Sequence, residues 1–358
     1  MADHLIAPAH LEAFAVSLLT ALGTPPEIAV TVGRHLVGAN LAGHDSHGVL
    51  RLPQYAAEVD RGELHPAATP LLTNERGAVA VIDGRAGFGH SATAFAMEWA
   101  AQKAAETGIA GAAIRHANHI GRLGEYAEIA ARRGVIGITT VGVVGAGGVS
   151  PFGARGRFLG TNPWSIGIPS DGEPMIFDAA TSAVAEGKLR LARAKGVPVA
   201  AGAIVSSEGE ATTDPNDYYA GGAMLPMGGA LAGHKGFGLS LAAALIGGLA
   251  MIDDPQATMG GTSGRANAHS AAWLGGAFVV ALDPAWFGPA SSYLSAVGGA
   301  LSDVRRQAPA AGVDRVLVPG DPERRSRESR AAHGIPIPQA TWTELSELAA
   351  RYGVGAPG

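Results

Sequence analysis

From about residue 76 the chain alternates between strand-like and helix-like segments, and this limits its possible folds more than any other feature. "GAVAVID" is a short strand, and "SATAFAMEWAAQKAAETG" is a helix with Ser91 placed as its cap and Gly108 as its stop. "IAGAAIRH" is a second strand, "LGEYAEIAARRG" a second helix and "VIGITTVGV" a third strand. "NPWSIGIPS" and "EPMIFDAA" follow as further strands between glycine turns. Strands interleaved with helices predict an α/β arrangement with strands of mixed burial.

The flanks read differently. Residues 8–40 are helical in pattern, with Pro8 and Pro25 near the helix starts, and "RLPQYAAEVDRGEL" is a short helix closed by Gly62. At the far end "DPERRSRESRAAHG" is a charged helix, and "TWTELSELAARYG" has Thr341 and Glu344 at capping-box spacing with Gly353 as its stop. A sheet-rich middle between helical ends predicts an inserted sheet domain beside helices that pack together. The boundaries expected are 1–75, 76–285 and 286–358.

With 358 residues, 47% hydrophobic and 16% charged, the chain has a globular composition and can bury a large core. A net charge of −5 gives no basic footprint, so nucleic acid is not an expected partner. The absence of cysteine removes disulfides, thiolate chemistry and cysteine-ligated zinc. "MADHLIAPAHLEAF" lacks a secretory pattern, and the apolar stretch Gly236 to Ile252 is glycine-broken and short for a bilayer, so it reads as a buried core helix. A cytoplasmic protein with no membrane partner is expected. The 52 glycines, many in clusters, suggest either loops with tight turns around a phosphate-bearing ligand or flexible surface loops.

Two glycine motifs fail on inspection. "VAVIDGRAGFGHSA" places Gly87-x-Gly89-x-x-Ala92 between strand and helix, the pattern of a dinucleotide turn. The next strand, however, ends in Arg115 and His116 and not in an acid, and Gly84 through Phe88 separate Asp83 from Gly89. "GGALAGHKG" is not a P-loop, because Lys235 is followed by glycine where Ser or Thr must hold magnesium.

"GHDSHGVLR" is the richest polar string. His44, Asp45 and His47 suit a metal, but no further ligand motif lies near; the string also suits a solvated loop, or acid–base chemistry. In the last reading His47 moves a proton, Ser46 relays or orients it, and Arg51 clamps a carboxylate. Residues alone leave the three open.

"GHDSHGVLRLPQY" closely resembles the N-terminal motif of the type-2 malate/L-lactate dehydrogenase family. The resemblance continues in order through "NHIGRLGEY", "SPFGARGRFLGTNPWSIGIP", "FDAATSAVAEGK", "GHKGFGL", "VPGDPE" and "GIPIP", with details nearest the hydroxycarboxylate dehydrogenase B branch. It implies a fold without a Rossmann domain: a mainly antiparallel cofactor sheet inserted into a helical domain made by both chain ends. It implies reversible NAD- or NADP-dependent reduction of a small 2-oxo acid to a 2-hydroxy acid, and homodimers. A reductase of a cyclic 2-imino acid is the alternative. Carried over by residue, His47 is the proton donor, Ser46 its relay, and His119 a group at the substrate and cofactor junction that acts as proton acceptor in some members. Arg51 and Thr161 become substrate contacts. The cofactor contacts become Asp178, Ala179, Ala180 and Thr181, then His234 and Lys235, then Pro319, Gly320 and Asp321, with no metal. Glu186 stands where many members carry arginine, which bears on the substrate accepted.

Overall fold

Pro8 and Pro26 occupy first-turn positions of the two opening helices, where the missing N–H costs nothing. The computed structural model describes residues 3–252 and 274–356. In chain order the elements are β1 (His4–Ile6), α1 (Pro8–Ala21), α2 (Pro26–Leu41), α3 (Leu52–Asp60), β2 (Leu71–Arg76), β3 (Val79–Gly87), α4 (Gly89–Thr107), β4 (Ile109–Ala117), α5 (Gly124–Arg132) and β5 (Ile136–Val149). Then come β6 (Trp164–Ile168), β7 (Met175–Ala179), α6 (Glu186–Lys195), β8 (Ile204–Val205), β9 (Ala211–Thr212), α7 (Pro215–Tyr219), β10 (Ala223–Met224) and α8 (Gly229–Gly247). The chain closes with β11 (Leu274–Leu282), α9 (Ala290–Arg305), α10 (Asp321–His333), β12 (Ile335–Ile337) and α11 (Gln339–Tyr352).

Both chain ends build one apolar core. Leu11, Leu18, Leu19 and Leu36 of α1 and α2 pack with Val49, Leu52 and Tyr55, and with Ile335, Ile337, Leu345 and Leu348 from the C-terminal segment. β1 seals this core by pairing antiparallel with β12. A second core lies between α4 and the sheet. Ala92, Ala96, Ala100 and Ala104 recur every four residues on α4 and meet Ala110, Ala112 and Ile114 of β4, so the helix sits close on the strand. Burying such small side chains relies on contact more than on area per residue.

The main sheet runs β2-β3-β4-β11-β5-β10-β8-β9, with β6 branching from β5 and β7 from β6. Among the described residues, β3–β4, bridged by α4, and β5–β10 pair in parallel and the other strand pairings are antiparallel. The sheet is therefore mixed and mostly antiparallel.

Three local expectations need correction. α4 begins at Gly89, and Ser91 does not cap it; its hydroxyl donates to the Phe88 carbonyl at 2.9 Å. α11 begins at Gln339, two residues before Thr341, after the fixed turn of Pro338, so the Thr341–Glu344 spacing falls inside the helix. α8 is buried on one face only. Ser240, Ala243, Ala244 and Gly247 face the sheet, where a Cβ on Gly247 would lie 2.2 Å from the Gly276 carbonyl oxygen. Leu231, Leu239, Leu245 and Leu249 are exposed. By length and composition alone Gly229–Met251 is the one helical stretch among the described residues that could cross a membrane.

Candidate active site

Gly43, with φ of +85°, ends α2 and turns the chain into two successive 3-10 turns, Asp45–His47 and Val49–Arg51. Asn40 holds both. Its side-chain oxygen Oδ1 accepts from the Val49 N–H at 2.9 Å and its side-chain nitrogen donates to Asp45 at 2.7 Å. The Asn40 side chain lies so close over Gly48 that any Cβ there would meet it at 2.2 Å. Asp45 is gripped from outside by both guanidinium nitrogens of Arg330 on α10, at 2.6 and 3.0 Å.

The three residues that suggested a metal therefore diverge. His44 bonds Glu323 at 3.1 Å, Asp45 takes Arg330, and His47 faces Ser46, whose hydroxyl lies 3.0 Å from the imidazole Nδ1. Arg51 donates through Nε to the Ser46 carbonyl and through a terminal nitrogen to Gln54, both at 2.7 Å; Gln54 in turn donates to the buried Glu58 at 2.9 Å. The guanidinium is thus fixed from behind, with donors left over for a ligand. Burial, and after it the Arg51 charge, press the His47 imidazole down to about 4. This lowered value favours the uncharged ring at neutral pH in the absence of a ligand.

His119 comes from the segment between β4 and α5 and stacks against His47, ring centroids 5.6 Å apart and planes 18° from parallel. Its Nδ1 lies 2.8 Å from the hydroxyl of buried Tyr55, on α3. The segment is tied down at several points. The Asn118 amide donates to the Ala86 carbonyl at 2.8 Å, and the first residue of α4, Gly89, sits where a Cβ would be 2.0 Å from the Asn118 oxygen. The Gly87–Ala92 turn thus receives this segment, and backbone fills the space where a dinucleotide turn would take phosphate.

β7 and its continuation gather most of the other candidate residues. At Ile176 the strand N–H donates to the Pro319 carbonyl, with Gly320 in contact. Asp178 accepts from the Gly124 N–H at 2.7 Å beside Arg122; burial lifts its carboxyl above the usual range against the pull of Arg122. Ala179 and Ala180 are half-buried and lead to Thr181, whose N–H and hydroxyl both donate to the Thr161 carbonyl. The Thr181 carbonyl accepts from Met227, at the approach to α8, which carries His234 and Lys235, both exposed. Beyond Ser182 the chain enters α6, and a Cβ on Gly187 would stand 4.0 Å from Ser46. So Ser46, His47, Arg51 and His119 form one cluster, while Asp178, Thr181 and Thr161 frame the strand leading to it.

Asp321, expected as a cofactor contact, is enclosed by partners from its own chain. Arg305 binds it through two nitrogens at 3.0 and 2.9 Å, the Val318 N–H donates to it, and Arg324 closes the ring. These partners outweigh burial and hold its carboxyl at about 2. Its oxygens are therefore engaged by the fold, with Arg305, Arg324 and the Val318 N–H as partners. Beside it a cavity of about 260 Å³ is lined by Arg122, Glu128, Gly320, Glu323, Arg324 and Arg327, among others. That volume suits a fragment of a dinucleotide and not the whole. The donor set that fits such a cofactor is Lys235 with His234, both exposed on α8, since the arginines at the Gly320 turn are paired with Asp321, Glu173 and Glu128.

Sequence reasoning passed over Tyr55, Gln54, His90, His35 and Arg122. Gln54 and Tyr55 stand three and four residues beyond Arg51, the helical neighbours of that guanidinium, which was the available signal. His90 lay within the glycine motif that had been set aside.

Residues 6–346 match the malate/L-lactate dehydrogenase family. The malate dehydrogenase of Pyrococcus abyssi is 35% identical over 96% of this chain and 94% of its own length. Hydroxycarboxylate dehydrogenase B of Escherichia coli is 33% identical over 96% and 93%. The solved sulfolactate dehydrogenase of Methanocaldococcus jannaschii superposes with a TM-score of 0.86 at 31% identity, covering 99% of this chain and 98% of that one. With the match spanning nearly its whole length, this chain belongs to the malate/L-lactate dehydrogenase family.

Proposed function

We propose that this protein is an NAD(P)-dependent 2-hydroxy acid dehydrogenase that reversibly reduces a small 2-oxo acid. One observation carries the reading. A guanidinium held by Ser46 and Gln54 shares a turn with an imidazole that is backed by a hydroxyl and stacked on a second imidazole.

Arg51 meets the substrate carboxylate with its free donors and so fixes which face of C2 is presented. In the oxidative direction neutral His47 is the base that takes the hydroxyl proton, and its depressed basicity suits it to wait uncharged. In reduction the same ring must carry the proton that goes to the carbonyl oxygen. A bound carboxylate cancels part of the Arg51 charge and so raises the affinity of His47 for that proton. Ser46 fixes the ring orientation through Nδ1. When bound, a reduced nicotinamide supplies the hydride to C2. Lys235, His234 and the backbone at Pro319–Gly320 would hold its phosphates, and Asp178 through Thr181 would line its path to the histidines. A cytoplasmic homodimer is the assembly we expect.

The test is loss of reduced-nicotinamide absorbance, with NADH and with NADPH, across 2-oxo acids and cyclic 2-imino acids. Turnover of the oxo acids supports the reading. Turnover confined to the imino acids transfers the same donor and clamp to C=N reduction, and turnover of neither overturns the assignment.

A further inference from the structure

We propose that Tyr55 and His90 are positioning residues that hold His119 in its Nε2–H tautomer, so that His119 meets the substrate only as a hydrogen-bond donor. The inference rests on the dehydrogenase reading for the substrate, but its geometry stands on the residues alone.

The Tyr55 hydroxyl lies between two imidazoles, 2.8 Å from His119 Nδ1 and 3.5 Å from His90 Nε2. All three groups are neutral: burial raises the phenol and lowers both rings well below their usual values. The two imidazoles are the only hydrogen-bond partners of the Tyr55 hydroxyl among the described residues, so its buried proton goes to one of them, and two arrangements remain. In the first, Tyr55 donates to His119 Nδ1 while the His90 Nε2–H donates to the phenol oxygen. In the second, every donor is reversed, and His90 carries its proton on Nδ1.

Two observations favour the first. His90 is fully buried, and its Nδ1 has no partner among the described residues. A sealed N–H without an acceptor is the rarer and more costly defect; a bare lone pair is better tolerated. The distances agree, because a hydroxyl donor makes the shorter bond and a ring N–H the longer one. His90 is also closely enclosed. A Cβ on Gly121 would lie 2.6 Å from its Nε2, and His35 packs edge-on with centroids 4.7 Å away. His35 itself is committed, its Nε2 lying 3.1 Å from the Arg122 carbonyl, which can only accept.

With Nδ1 of His119 occupied as an acceptor, its proton sits on Nε2, the nitrogen left free of protein partners among the described residues. His119 then donates to a substrate oxygen, and proton exchange falls to His47 alone. This departs from the acceptor role that the resemblance attaches to His119 in some members.

The decisive measurement is the histidine ring tautomer by NMR of the full-length protein labelled at histidine, with the His119 signal identified by its loss in His119→Asn. We expect the Nε2–H signature in the wild type. In Tyr55→Phe we expect a tautomer mixture and a fall in kcat of about tenfold with little change in KM, the worth of one hydrogen bond. His90→Gln, which keeps an N–H near the Nε2 position, should retain the wild-type signature, whereas His90→Leu should not. An Nδ1–H signal for His119 in the wild type, or an unchanged one in Tyr55→Phe, overturns the proposal. An Nε2–H signal in a protein that reduces no 2-oxo acid supports the tautomer assignment and refutes the substrate reading.

Discussion

The Nε–H of Arg51 donates to the backbone carbonyl of Ser46 at 2.7 Å, so the guanidinium and the hydroxyl that meets His47 belong to one turn and move together. The second guanidinium contact, to Gln54, continues into buried Glu58 and anchors that turn to α3.

If Arg51 clamps the substrate and His47 moves the proton as proposed, removing the middle of this chain should loosen the first without touching the second. Gln54→Leu leaves Arg51 tethered at one point, and loss of one charge-assisted hydrogen bond is worth about 1.5–3 kcal/mol. We expect kcat/KM for a 2-oxo acid to fall by roughly tenfold to a hundredfold, mostly through KM. His47→Ala should instead lower kcat by about two to four orders of magnitude with cofactor affinity retained. Steady-state kinetics beside a cofactor titration separates the two. Equal effects on kcat from both variants would contradict the division of labour.

The pH dependence follows from the same turn. With His47 depressed to about 4 by burial and Arg51, its protonated fraction in the free enzyme falls about tenfold per unit from there upward. For 2-oxo acid reduction, kcat/KM should therefore decline with a slope near −1 in log units between about pH 5 and 8. Oxidation, which needs the neutral ring, should be flat over that window. Replacing Arg51 with Gln removes a positive neighbour, and any residual reduction should shift its profile to higher pH. A bell-shaped reduction profile centred near neutrality would refute this assignment.

Buried neutral histidines also set an acid limit on stability. Burial lowers His35 to about 3 and His90 well below its usual value, so the folded protein binds fewer protons than the unfolded chain below about pH 6.5. Their contribution is complete above that pH and is lost as pH falls toward the folded-state values. Each should remove about 1.4 kcal/mol per pH unit. Urea unfolding at a series of pH values should show the free energy of unfolding dropping steadily from about pH 6.5 toward pH 5. A flat profile would show that these rings remain partly solvated.

How far the sequence disclosed this arrangement depends on the range of the forces involved. The helix stops at Gly62, Gly108 and Gly353 are local, since each needs positive φ, and all three stand where the pattern placed them. So is the Ser46–His47–Arg51 turn, whose residues lie within one another's reach in any compact loop. The helix starts failed where a nearby proline or a tertiary contact outranked capping, as at Gln339 and Gly89. The Tyr55–His119 contact spans 64 residues and the Arg330–Asp45 grip 285, and no periodicity encodes such meetings. The partners of Asp321 were hidden for a related reason. An acid after glycine looks available until the arginines brought to it by the fold are known.

Gly89 offers a direct test of what the glycine motif is for. A Cβ there would press on the Asn118 and His119 carbonyls, so Gly89→Ala should displace the segment carrying His119. We expect a loss of about 1–3 kcal/mol in stability, typical of overpacking, together with a lower kcat. Cofactor affinity should change little. The opposite pattern, intact stability with weakened cofactor binding, would restore a phosphate-binding role to this turn.

Glu186 bears on which oxo acid is preferred. It opens α6, accepts from the Tyr219 hydroxyl at 3.1 Å, and precedes Gly187, the residue facing Ser46. A substrate with a second carboxylate beyond C2 would bring a negative charge toward this end of the site. Two charges roughly 8 Å apart at an effective dielectric of about 20 interact by about 2 kcal/mol, before salt screens an exposed group such as this one. Glu186→Gln should therefore raise kcat/KM for a dicarboxylic 2-oxo acid relative to a monocarboxylic one by up to about tenfold at low ionic strength, and Glu186→Arg by more. The gain should shrink as salt is added. If the ratio between the two substrates is unchanged in both variants, the second carboxylate does not approach α6, and selectivity is set elsewhere in the pocket.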